Sequence, residues 1–205
     1  MLRYRMIHDL ILRWGVTGLF VLAASECGLA IVTKRGPWTM AVSHWWHLVM
    51  AVAMAAMAWP WGARLPTTGP AVFFLLGTVW FMAVAVAAAR TVAVFALYGY
   101  HGLMMLATAW MYVIMDPRLS GTGPATSMPG MDMDAAHVSS TGPPVWFNAA
   151  NWLGAAGFAV AAVLWTYSYF SQRQHKATRC SLGNLGQAMM AAGMSILFVA
   201  ALFRI

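Results

Sequence analysis

Four ionisable side chains stand inside long apolar runs: Glu26, His44, His47 and His101. Such groups are rare at membrane depth, and their default reading is functional. Imidazole is the commonest metal ligand, and a nearby carboxylate supplies a compensating charge. Glu26 comes near the end of the first run, His44 and His47 early in the second, and His101 early in the fourth. At 1.5 Å per helical residue, the four lie within about 10 Å in depth. That permits one cluster of a carboxylate and up to three imidazoles. Each histidine taken singly has a plainer role, as a hydrogen-bonding tie between helices.

Methionine extends the pattern. At 100° per residue, His47, Met50, Met54 and Met57 fall within an arc of about 80°, with His44 about 60° beyond its edge. His101, Met104, Thr108, Met111 and Met115 fall in a second arc of about 80°. The last run adds Met190 and Met194, with Met189 alongside. Thioether sulfur is soft and selects Cu(I), which imidazole also suits. Three Met pairs have i,i+4 spacing: Met50/Met54, Met111/Met115 and Met190/Met194. Random placement of 17 methionines gives about 1.4 such pairs. The excess is small, and methionine also fills gaps in packed cores. Spacing alone therefore favours packing, and it is the histidine at the head of each stripe that brings a metal into the argument.

Positioning these side chains falls to the apolar runs. Of 205 residues, 61% are apolar and only 8% charged. Globular domains sit near half apolar and a quarter charged. The composition predicts an all-α, polytopic integral membrane protein, with about six transmembrane helices in one bundle and no separate soluble domain. The runs cover about residues 10–32, 40–59, 70–89, 91–115, 146–170 and 183–203, each near the 20 residues that cross a bilayer. The stretch 116–145 contains "DPRLSGTGPATSMPGMDMDAAHVSSTGPP", a composition that predicts an irregular loop. It places Met128, Met131, Asp132, Met133, Asp134 and His137 within ten residues. Such a segment can load a soft cation on several weak ligands.

Charge excludes some classes and orients the chain. The net charge of +7 comes from cations at the ends of apolar runs, where they meet headgroups and set topology. No basic stripe with interleaved aromatics points to nucleic acid. Lys and Arg divide evenly between the two sides. The compact "SQRQHKATR" connection places the termini, and the 116–145 loop with them, outside the cell. Cys27 and Cys180 stand apart and form no CxxC pair. The N-terminal segment has a basic start and a small-residue end, but Arg13 interrupts its apolar stretch and hydrophobicity resumes after Glu26. It is therefore read as a retained helix. With no nucleophile elbow, HExxH motif, phosphate-cradling loop or carboxylate pair, the chain is not expected to be an enzyme.

The strings "HLVMAVAMAAMAWPWG", "LPTTGPAVFFLLGTVWF" and "YHGLMMLATAWMYVIM" resemble a family of small actinobacterial integral-membrane proteins of unknown function. The resemblance covers the second to fourth runs. It implies a multi-pass protein of the plasma membrane and brings no site residues with it. The MxxxM spacing resembles the pore helix of eukaryotic copper uptake transporters at motif level only. The "MPGMDMDAAH" segment resembles Met/His/Asp-rich segments of exported bacterial copper-resistance proteins.

Three functions follow as expectations. The first is copper(I) handling, whether transport, storage or delivery to a membrane oxidase. Its ligands would be His44, His47, His101, Met50, Met54, Met57, Met104, Met111 and Met115, with Glu26 as charge partner and the Met/Asp/His loop as loading segment. The second is an accessory or structural subunit without a ligand, working beside other membrane or respiratory subunits. There the histidines would tie helices and Ala150/Gly154 would form a packing face. The third is b-type haem, with His101 and His47 or His44 as axial ligands.

Overall fold

The computed structural model of the chain describes residues 10–33, 38–62, 66–88, 91–115, 145–175 and 182–203. These residues form six helices, α1 (Leu10–Thr33), α2 (Trp38–Met57), α3 (Thr68–Ala88), α4 (Val92–Met115), α5 (Val145–His175) and α6 (Leu182–Phe203). None of the described residues is in a strand. Hydrocarbon offers no partner to an open backbone group, so a spanning segment closes its own hydrogen bonds as a helix.

The helix limits follow local chemistry. Pro60 lacks the N–H that a continued α2 would need. The chain therefore leaves α2 through tight turns, with Trp59 N donating to Ala56 O at 3.1 Å and Gly62 N to Trp59 O at 3.0 Å. A side chain at Gly62 would overlap the Ala56 carbonyl, so the turn closes only with glycine there. Pro70 sits in the first turn of α3, where a missing N–H costs nothing. Thr91 caps α4: its hydroxyl accepts from Val94 N at 3.3 Å and its carbonyl from Phe95 N at 3.0 Å.

Five helices are long and apolar enough to cross a membrane, namely α1, α3, α4, α5 and α6. In α2 the apolar stretch is shorter, Ala41–Met57. The helix itself has 20 residues and ends ahead of Pro60. Large apolar side chains point outward on every helix, among them Leu29, Val52, Leu76, Leu103, Leu153 and Phe203. That is the surface a protein presents to lipid.

Side-chain contacts fix the course of the chain. Trp59 meets Trp14 and Thr17. Phe74 stacks on Tyr112 while Phe81 meets His101. Trp110 binds Asn151 while Tyr100 meets Trp165. Ser195 binds Ala155, and Phe20 packs at Gly193. For α3–α4 and α4–α5, residue numbers rise on one helix as they fall on the other, so these helices are antiparallel. The close seams are α1–α2, α3–α4, α5–α6 and α1–α6. In contrast, α2 approaches α3 and α4 mainly through long side chains. The centre of the bundle is filled by Phe20, Met50, Met54, Phe74, Phe81, Met104, Met105, Met111, Met190, Met194 and Leu197, all fully buried.

Two glycines test the seams. A methyl group at Gly193 meets the Phe20 ring, whereas one at Gly157 meets nothing within 4 Å. Gly193→Ala is expected to destabilise by about 1–3 kcal/mol through overpacking. Gly157→Ala is expected to be neutral or stabilising by up to about 1 kcal/mol. Denaturant unfolding of the two variants in one detergent checks the contrast.

Candidate functional site

His47 is the starting point. It lies on the buried face of α2 and is 5% exposed. Its Nδ1 is 2.7 Å from the Ser43 carbonyl one turn earlier. A carbonyl only accepts, so Nδ1 carries the proton and donates. That assigns the tautomer: Nε2 is a bare lone pair. This Nε2 is buried and has no hydrogen-bond partner. Metal-ligating histidines are commonly oriented in this way, with one ring nitrogen donating to a carbonyl and the other left for the metal.

His101 of α4 faces it. The two ring centroids are 4.6 Å apart, with planes at 81°. The Phe81 ring of α3 lies 5.4 Å from His47 and 5.5 Å from His101. Tyr100 adds a ring 5.8 Å from His101. The Gln187 side chain of α6 lies against His101. Yet His101 Nε2 and Gln187 Oε1 are both buried without a well-formed hydrogen bond. The Tyr100 hydroxyl and Trp80 Nε1 are in the same condition. All these groups sit between about 8 and 14 Å from the helix ends that share one side of the bundle. Elsewhere among the described residues several polar groups are matched. Thr78, Thr108 and Thr166 donate to carbonyls one turn back. Trp59, Trp110 and Ser195 bind across seams.

Below the pair lies sulfur. Met50 and Met54 on α2, Met104, Met105 and Met111 on α4, and Met190 and Met194 on α6 are all buried to within 1%. Met57 is 3% exposed, and Met115 is half-buried. The thioether set runs from the level of the histidines toward the far end of the bundle, about 15 Å along α2 and α4.

Not every expected ligand joins the pair. His44 is half-buried and close enough to act electrostatically on both His47 and His101. Among the described residues, no three His, Cys, Asp or Glu side chains form a metal-holding group. The expected cluster of Glu26 with three imidazoles is therefore reduced to two facing rings. Glu26 packs instead on Gly186 of α6, the residue before Gln187. Met128, Met131, Asp132, Met133 and His137 lie outside the described residues.

The sequence model of the domain of unknown function DUF5134 matches residues 39–201. The chain belongs to this family. The match runs beyond α2–α4 to α6, so it takes in both histidines and the whole thioether set. Uncharacterized protein Rv0970 of Mycobacterium tuberculosis strain H37Rv is 62% identical over 208 residues, covering 97% of this chain and 99% of its own length. Uncharacterized protein Mb0995 of Mycobacterium bovis is similar to the same extent. These relatives are mycobacterial, in keeping with an actinobacterial family of unknown function. No solved structure matches the chain.

Several site residues escape a sequence reading. Gln187 and Tyr100 carry no charge, so a search for ionisable groups passes over them. Met105 lies outside the arc of Met104 and Met111, yet it is buried because α3 opens room for it at Gly77.

A buried polar atom left unpaired costs about 1–3 kcal/mol, and replacing both partners by apolar groups is near neutral or stabilising. The double variant His47→Leu/His101→Leu is therefore expected to unfold at higher denaturant concentration than the metal-free wild type. If the imidazoles were there for packing alone, the double variant would unfold earlier.

Proposed function

We propose that this chain is a copper(I)-handling protein of the plasma membrane, which transports, stores or delivers the ion. The observation that supports this best is the facing pair of buried imidazoles at the head of a buried thioether column, with the Nε2 of His47 lacking a hydrogen-bond partner. A buried polar atom without a partner needs an explanation, and an absent ion is one. Imidazole and thioether together are a donor set suited to Cu(I). His47 and His101 are the proposed ligands, with thioethers of Met50, Met54, Met104, Met105 and Met111 as further weak positions. On this reading the segment with Met128, Met131, Met133 and His137 faces outward and loads the column from its far end.

The packing gives haem less support. A porphyrin would have to lie between the two axial rings, and these rings touch edge to face with Phe81 against both. A ligand-free accessory role is the other reading, and the unpartnered nitrogens weigh against it.

Anaerobic loading of detergent-purified protein with Cu(I) is the test. The expected result is about one tightly held copper per chain, with no Soret band in the absorption spectrum. His47→Ala/His101→Ala is expected to lower Cu(I) affinity at least about 100-fold, since removing both ring donors costs some 3 kcal/mol or more. Copper retention by the double variant equal to that of wild type would sink the reading.

A further inference from the structure

A stored ion and a carried ion ask different things of a bundle, because a carrier must open. Close backbone seams join α2 to α1, α1 to α6 and α6 to α5, and a separate one joins α3 to α4. In the larger group small residues receive rings, Gly193 taking Phe20 and Gly154 taking Phe198. In the α3–α4 hairpin, Phe81 and Met82 lie against the bare backbone of Gly102. Between the two groups the backbones approach at few points, and side chains fill the boundary. His47 belongs to the larger group and His101 to the hairpin. The imidazole pair therefore straddles the boundary, one ring on each side.

The chain crosses between the two groups twice, from α2 to α3 and from α4 to α5. Trp38 meets Trp80 while Trp46 meets Phe73, so α2 runs antiparallel to α3. Both crossings are therefore at one end of the bundle, beyond Met57 and Met115. His47 and His101 lie in the first halves of α2 and α4, toward the opposite end. Near the crossings α4 is tied to α5. The Trp110 indole donates to Asn151 Oδ1 at 3.1 Å, and its ring meets Trp146 and Phe147. Toward the histidine end the boundary is spanned by rings, Trp38 on Trp80 at 5.8 Å and Tyr100 on Trp165 at 5.9 Å, and by Gln187 against His101. Ring contacts tolerate sliding that a directed hydrogen bond does not.

Resting on the copper reading, we propose that the α3–α4 hairpin hinges at the crossing end and that Cu(I) clamps it shut through His47 and His101. A metal sits about 2 Å from each imidazole nitrogen it binds. Rings with centroids 4.6 Å apart are within reach of one ion, and swinging the hairpin away puts them out of reach. A ligand shifts an equilibrium only by binding one state better than the other. Cu(I) favours the closed state because only there does it gain both nitrogens. The empty protein opens at the histidine end and the loaded protein closes, as in hinge closure around a ligand. Opening gives the ion a way past His47 that a closed bundle lacks, which makes the chain a carrier and not a store.

The test is the distance between paired spin labels, read by pulsed electron paramagnetic resonance on the full-length, detergent-purified chain with Cys27 and Cys180 replaced by serine. Labels on Val32→Cys and Val86→Cys span the boundary at the histidine end, and labels on Val72→Cys and Leu153→Cys span it nearer the crossings; all four side chains are exposed. Cu(I) is added anaerobically as its acetonitrile complex, and bound copper is counted in the same sample. On loading, the Val32/Val86 distances are expected to shorten and narrow while the Val72/Leu153 distances stay. With His47→Ala/His101→Ala, the Val32/Val86 distances are expected to stay long and broad at the same copper level. Bound copper with the Val32/Val86 distances unmoved overturns the hinge and leaves the copper reading standing. Equal movement of both pairs also overturns it, because a hinge needs one fixed end. Closure of the double variant as in the parent chain overturns it by assigning the clamp to other ligands. Absence of copper binding in the parent chain overturns both.

Discussion

Hydrocarbon cannot hydrogen-bond, and the rest of this structure answers to that fact. The backbone closes on itself in six helices. Hydroxyls turn back onto their own helix, as at Thr108. Indole and amide groups reach across seams, as between Trp110 and Asn151 at 3.1 Å. Against this consistency the layer around His47 and His101 stands out. A bundle that satisfies its polar groups along most of its length leaves several bare at one level. They come from α2, α3, α4 and α6.

Packing explains how the layer is kept open to side chains. The close seams depend on small residues: Gly193 receives Phe20, and Gly154 receives Phe198. The α2–α4 contact has no such device. Those backbones stay apart, and imidazole, thioether and phenyl side chains fill the interval. Methionine suits such a space because its unbranched chain adapts to irregular gaps. On the proposed reading, the same flexibility would let a sulfur atom turn toward an ion without moving a helix. Packing and ligation are therefore not rival explanations of these methionines. One side chain can serve both, and only the unpartnered nitrogens separate the two roles.

Much of this was legible in the sequence. The six apolar runs correspond to the six helices within a few residues, because apolar length and helix length coincide when lipid is the solvent. The largest departure is α5, which continues to His175. Hydropathy ends where the lipid ends, but "SQRQH" contains no helix breaker. Depth was legible too, so His47 and His101 were expected at one level. Facing was not. A helical wheel gives direction around one axis and says nothing of the rotation of one helix against another. For the same reason the contact of Glu26 with Gly186 could not be read, since it joins α1 to α6 across most of the chain. The cluster of three imidazoles and a carboxylate was too generous, because shared depth does not bring side chains on different helix faces together.

The donor types carry the argument one step further. On the copper reading, the softness of the donors would choose the ion. Neutral imidazole nitrogen and thioether sulfur suit Cu(I). Hard divalent cations would be disfavoured on the same donors, because they require oxygen ligands.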